Sequence, residues 1–127
     1  TLESASTSSI VFYSDVERDG AMERVRYYFG TSTLQKGVTE PTSSTPPLYV
    51  TSTEAIKITV PYVKVGSSSF QYFGASATST MVPLSSPIDV SMVRFMRVSL
   101  TADVSTSSAP RPITFSNIIT IRNLRSN

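Results

Sequence analysis

Asp15, Glu17 and Asp19 occupy alternate positions in the segment FYSDVERDGAMERVRYYF, residues 12–29, and Gly20 follows at once. This spacing fits D-x-[D/E]-x-D-G, the opening of an EF-hand-like calcium loop. Calcium takes several oxygen ligands, and carboxylates on alternate residues of a turning chain can converge on one ion. A glycine at the sixth position permits the sharp turn. Glu23 falls at the ninth position, where it could contribute directly or through water. The twelfth position is Arg26, where an EF-hand has a bidentate Glu, and Arg18 puts a positive charge inside the loop. Two readings stay open. One is a calcium loop outside the EF-hand class, with Asp15, Glu17, Asp19 and Glu23 as ligands. The other is a hairpin in which Asp19-Gly20 supplies the positive dihedral angles of a tight turn and the carboxylates keep its tip soluble. As catalytic carboxylates, Asp15 and Asp19 are poor, because a hairpin tip offers no pocket to shift a pKa.

Arg24 and Arg26 alternate with Val25 and precede Tyr27 and Tyr28. Basic residues interleaved with aromatics can bind single-stranded nucleic acid. A half-buried strand with a solvated face produces the same alternation, so nucleic acid is not the expected partner.

The composition removes whole classes of chemistry. The 127 residues contain no His and no Cys. Imidazole acid-base catalysis, thiolate nucleophiles, thiolate zinc sites and disulfides are therefore excluded. An enzyme is not expected, and no cofactor other than calcium at the acidic loop is suggested. The net charge of +2 comes from eleven basic and nine acidic residues spread along the chain, which is no electrostatic footprint for nucleic acid. No apolar stretch reaches the roughly 18 residues that cross a bilayer, and no signal peptide is visible. The opening TLESASTSS lacks an initiator methionine and reads as a trimmed or processed start. Length and an apolar share of 39% fit one ordinary globular domain over 1–127.

The elements that must position these residues are strands. SSIVFYS sets Ile10 and Phe12 on one face and Val11 and Tyr13 on the other. ERVRYYF sets Val25, Tyr27 and Phe29 against Arg24, Arg26 and Tyr28. TLQKGVT, around Leu34 to Val38, reads as a short strand. AIKITVPYV aligns Ile56, Ile58, Val60 and Tyr62 as a buried face, and Pro61 inside it marks an edge or a bulge. SFQYF is a short aromatic strand. FMRVSLTADV aligns Met96, Val98, Leu100, Ala102 and Val104, and SNIITIRNL pairs Ile119 with Ile121. Period-two alternation with one buried face is the mark of antiparallel sheets. Ser/Thr-rich connectors such as EPTSSTPP, GSSS, GASATST and VSTSSAPRP read as loops. Helical signal is confined to a turn at DVSMVRF, with Asp89 or Ser91 as cap. The expected fold is mainly β, with antiparallel sheets of about six to eight strands.

Taken in order, SIVFYSDVERDG-AMERVRYYF, TLQKGVTEP, FQYFG, VRFMRVSLTADV and the ending FSNIITIRNL resemble the globular domain of minor type IV pilins and type II secretion pseudopilins of the PilW and pseudopilin-J kind. The resemblance spans nearly the whole chain. It implies the β part of the α+β pilin-like fold, without the apolar N-terminal helix that anchors such subunits in the inner membrane and then packs in the filament core. It implies a structural subunit acting in filament initiation or tip assembly, for pilus formation, secretion, adhesion or DNA uptake. Its partners would be other pilins, met through sheet edges and loops, and its place extracytoplasmic, in the periplasm or at the cell surface. The family's turn reads D-x-D-x-D-G, whereas Glu17 stands in the middle here. A sheet that has lost its helix should also expose an apolar patch. The alternative reading is an adhesin-type β module for glycans or surfaces.

Overall fold

A computed structural model describes residues 1–74, 82–102 and 112–120. The segments GASATST beyond Gly74, VSTSSAPRP, Val104, Ile121 and the closing Arg122, Asn123 and Leu124 lie outside the described residues. Eight strands form two antiparallel sheets, so the fold is mainly β as the alternation predicts. The first sheet contains β1 (Leu2–Ala5), β2 (Ser9–Ser14), β3 (Glu23–Phe29), β4 (Leu34–Thr39) and β5 (Ala55–Val60), each hydrogen-bonded to the next. The second contains β6 (Ser69–Phe73), β7 (Phe95–Ala102) and β8 (Ile113–Thr120) in the same sequential order. Among the described residues no helix is long and apolar enough to cross a membrane.

The core lies where the two sheets face each other. Leu2, Ile10 and Leu34 of the first sheet meet Phe70 and Tyr72 of the second, with Phe12, Tyr27, Phe29, Met96 and Val98 half-buried around them. Cross-strand pairing explains this grouping. Phe12 faces Val25 and Ile10 faces Tyr27, so the alternate apolar residues of β2 and β3 fall on one side. The Phe29 and Phe70 rings stack across the interface at 5.0 Å. Phe70 N–H donates to Thr7 O at 2.9 Å, and Tyr72 Oη reaches Ser6 O at 2.9 Å and Ser9 O at 3.1 Å. Tyr72, 1% exposed, therefore joins β6 to the β1–β2 turn.

Several local expectations change. β1 was not among the strands expected from the pattern; Leu2 opposite Phe12 holds it to β2 as an edge strand. β5 is an edge strand, but it ends at Val60, before Pro61. Its expected buried face does not form, since Ile56 and Ile58 are 55% and 54% exposed. Among the described residues β5 pairs with β4, and of its apolar residues Val60 at its end packs against the inter-sheet core. β8 begins at Ile113 and all of it is exposed. The turn at DVSMVRF is a single 3-10 turn, Val90–Met92, capped by Asp89, whose Oδ1 accepts Ser91 N–H at 3.0 Å. At Phe95 the chain is already β7, as its β-branched and aromatic residues favour.

Burial pushes the Tyr72 hydroxyl pKa well above the ordinary tyrosine value. The folded protein thus keeps this proton to higher pH than the unfolded chain does. Stability from this group is fully present below pH ~10 and is lost as pH rises past it. Tyr72→Phe should lower urea-unfolding stability at pH 7 by about 1–2 kcal/mol and make the decline above pH ~10 shallower.

Candidate functional site

The hairpin between β2 and β3 carries the acidic residues. Arg18 (φ 61°) and Gly20 (φ 92°) adopt the left-handed conformation that turns the chain, rather than Asp19 and Gly20 as the sequence suggests. This winding points carboxylates inward onto backbone amides. Asp15 Oδ1 accepts Asp19 N–H and Asp15 Oδ2 accepts Gly20 N–H, both at 3.1 Å. Asp19 Oδ1 accepts Ala21 N–H at 2.9 Å. Glu23 Oε2 accepts Val16 N–H at 2.5 Å. As a result Asp15, Asp19 and Glu23 bring one carboxylate oxygen each within 4.8 Å of one another. Glu17 does not join them. Positions one, five and nine of the loop converge, and position three is left on the exposed tip.

Glu23 is the unusual member. It opens β3 in period with Val25, Tyr27 and Phe29, so its side chain continues the core-facing row. It is 0% exposed. Its Oε1 has no hydrogen-bond partner. Glu40, absent from the sequence-based ligand set, belongs to the same field. Desolvation and the negative charges of Glu17, Glu23 and Asp19 hold its carboxyl above the usual range.

The arginines predicted for nucleic acid are used inside the molecule. Arg24 Nε and Nη2 donate to Glu3 at 2.9 and 2.7 Å. Arg26 Nε and Nη2 donate to Glu54 at 2.9 and 2.6 Å, and its guanidinium lies 4.0 Å from the Tyr28 ring centre. Both are two-pronged pairs, so these charges are not presented to a polyanion. Tyr13 Oη also donates to Glu3, which holds the Glu3 carboxyl below its ordinary pKa chiefly through Arg24 and raises that of Tyr13. No local motif reveals Glu3 and Glu54 as partners; they approach only through strand pairing.

A second feature is an open groove of about 660 Å³ at the sheet interface. Leu2, Phe12, Tyr27, Phe70, Val98 and Ile119 contribute to its wall, together with Thr1. Beyond it, exposed apolar residues continue on β8, where Phe115 is 61% exposed. Exposed apolar side chains thus stand beside the groove among the described residues. The side chains brought together offer carboxylate oxygens at the acidic loop and an apolar wall at the groove. Compared with known proteins, the chain matches no family model, no curated protein and no solved structure.

The Arg26–Glu54 pair passes over Gly37, the residue opposite Arg26 on β4. A Cβ at position 37 would collide with the Glu54 carboxylate. Gly37→Ala should therefore cost roughly 1 kcal/mol by pushing Glu54 off Arg26. In a Glu54→Ala background the same change should be neutral or stabilising, since alanine suits a strand better than glycine. A double-mutant cycle by urea denaturation reads the difference.

Proposed function

We propose that this chain is the globular part of a filament subunit, a minor pilin or pseudopilin, serving filament initiation or tip assembly in a type IV pilus or type II secretion system. The observation that carries the reading is the apolar groove at the sheet interface, continued by the exposed Ile113, Phe115 and Ile119 on one face of β8. Soluble monomers seldom leave apolar surface contiguous on this scale unless something docks there. The motif order supplies the occupant: an apolar helix of the same polypeptide ahead of Thr1. Because Thr1 and Leu2 line the groove, a helix leading into Thr1 would enter it directly. Such a helix would hold the subunit in the inner membrane before assembly and place the domain outside the cytoplasm.

The edges of both sheets suit contact with neighbouring subunits. β5 and β8 each have one unpaired side and exposed apolar residues, which is how sheet edges recruit other chains. A role of this kind needs binding surfaces rather than a catalytic group. Ion-paired Arg24 and Arg26 also turn the reading away from nucleic-acid binding by this face.

Deleting the gene in its host should abolish pili or type II secretion. Complementation with Ile119→Lys, a substitution on the groove wall at a half-exposed edge-strand position, should fail to restore assembly, while the purified variant melts within a few degrees of the unmodified protein. Normal filaments and secretion in the deletion strain would overturn the proposal. So would an upstream reading frame that encodes a secretory signal and further β modules in place of a processed apolar helix; that arrangement would favour the adhesin.

A further inference from the structure

We propose that Asp15, Asp19 and Glu23 form a calcium site that ties the tip of the β2–β3 hairpin to the first residue of β3. The decisive observation is Glu23 rather than the acidity of the loop. A carboxylate offers about four acceptor positions. That of Glu23 is fully buried, accepts one N–H on Oε2, and has an Oε1 with no partner at all. A buried carboxylate that is neither paired nor fully hydrogen-bonded is costly. Arg24 and Arg26 do not neutralise it, because each is held in a two-pronged pair elsewhere, and Arg18, on the exposed loop tip, forms no ion pair with it among the described residues. One cation among the three carboxylates would remove both the orphaned oxygen and the mutual repulsion.

The donor set selects the ion. All three donors are carboxylate oxygens, which suit hard cations and not zinc or copper. Calcium binds oxygen at roughly 2.4 Å, so ligands on opposite sides of the ion stand about 4.8 Å apart. The three oxygens lie within that distance of one another. Magnesium asks for shorter bonds and a stricter octahedron. The amides of Asp19, Gly20 and Ala21 already hold the two aspartates in place, so little ordering is left for the ion to impose. Backbone carbonyls and water would complete the shell.

Such an ion would stiffen more than the loop. Met22, the residue before Glu23, accepts the Tyr49 hydroxyl through its carbonyl at 2.6 Å. Tyr49 in turn packs its ring 5.0 Å from that of Tyr13. Calcium would therefore brace the connection between β4 and β5 as well as the hairpin. The inference is independent of the filament reading, since an adhesin could hold the same ion.

Thermal melts in CaCl₂ or MgCl₂ at matched ionic strength test it, with terbium luminescence excited through tyrosine as a direct binding signal. At ~5 mM calcium the melting temperature should rise by about 5 °C. Glu23→Gln and Asp19→Asn should each abolish the rise and the terbium signal. Asp19 is exposed, so Asp19→Asn keeps the test decisive if Glu23→Gln fails to fold. An unchanged melting temperature in calcium, an equal rise in magnesium, or a full rise retained by Asp19→Asn would overturn the proposal.

Discussion

The fold depends on one buried joint between its sheets. A single tyrosine hydroxyl, that of Tyr72, is shared between the carbonyls of Ser6 and Ser9, while the ring below it sits in the common core. The polar end of Tyr72 satisfies turn carbonyls, and its ring fills core volume, a combination few other side chains offer. Phe70 reinforces the joint twice, through its N–H to Thr7 and its stack on Phe29. The three-stranded sheet is thereby pinned at the β1–β2 turn. Beside that joint lies the groove, to whose wall Phe70 itself contributes with Leu2, Phe12 and Val98.

Electrostatics divides the first sheet in two. On the face of Arg24 and Arg26, every guanidinium meets a carboxylate from another strand or its flank, Glu3 on β1 and Glu54 just before β5. These pairs staple β3 to segments at both edges of the sheet. The opposite face runs apolar from Phe29 through Tyr27 and Val25 and ends at Glu23. A carboxylate at the end of a core row is expensive, and here it sits beside Asp15 and Asp19. The two faces are coupled: with both strand arginines paired on one side, Arg18 on the exposed tip is the remaining arginine of the hairpin.

The order of structure follows the same logic outward. Strands that contribute to both the pairing ladder and the inter-sheet core, β2, β3, β4 and β6, carry the most buried side chains. β5 and β8 have one paired neighbour each and present isoleucines and Phe115 to the surroundings. An exposed apolar edge is a hazard for a lone protein and an asset for one that assembles. The filament reading takes these edges and the groove as parts of one docking surface.

Period-two alternation made the mainly β fold, seven of its strands and the strand–turn–strand context of the acidic loop readable from sequence, because backbone extension and one-sided burial are local properties. Even the burial of Glu23 was available there, as a residue in phase with Val25, Tyr27 and Phe29. β1 was not, because LESA carries no apolar alternation and its one serine looks the same in a loop as in an edge strand. Nor was the fate of the charges. Arg24 meets a partner 21 positions away, Arg26 one 28 away, and Tyr72 reaches back 66 residues to Ser6. Which carboxylates converge depended on left-handed turns at Arg18 and Gly20, which closed positions one, five and nine of the loop and left Glu17 outside. Sequence by itself determined the strands and the kinds of chemistry they could carry. Only the tertiary structure decided which side chains meet, because those contacts depend on register and sheet packing between segments that local patterning does not relate.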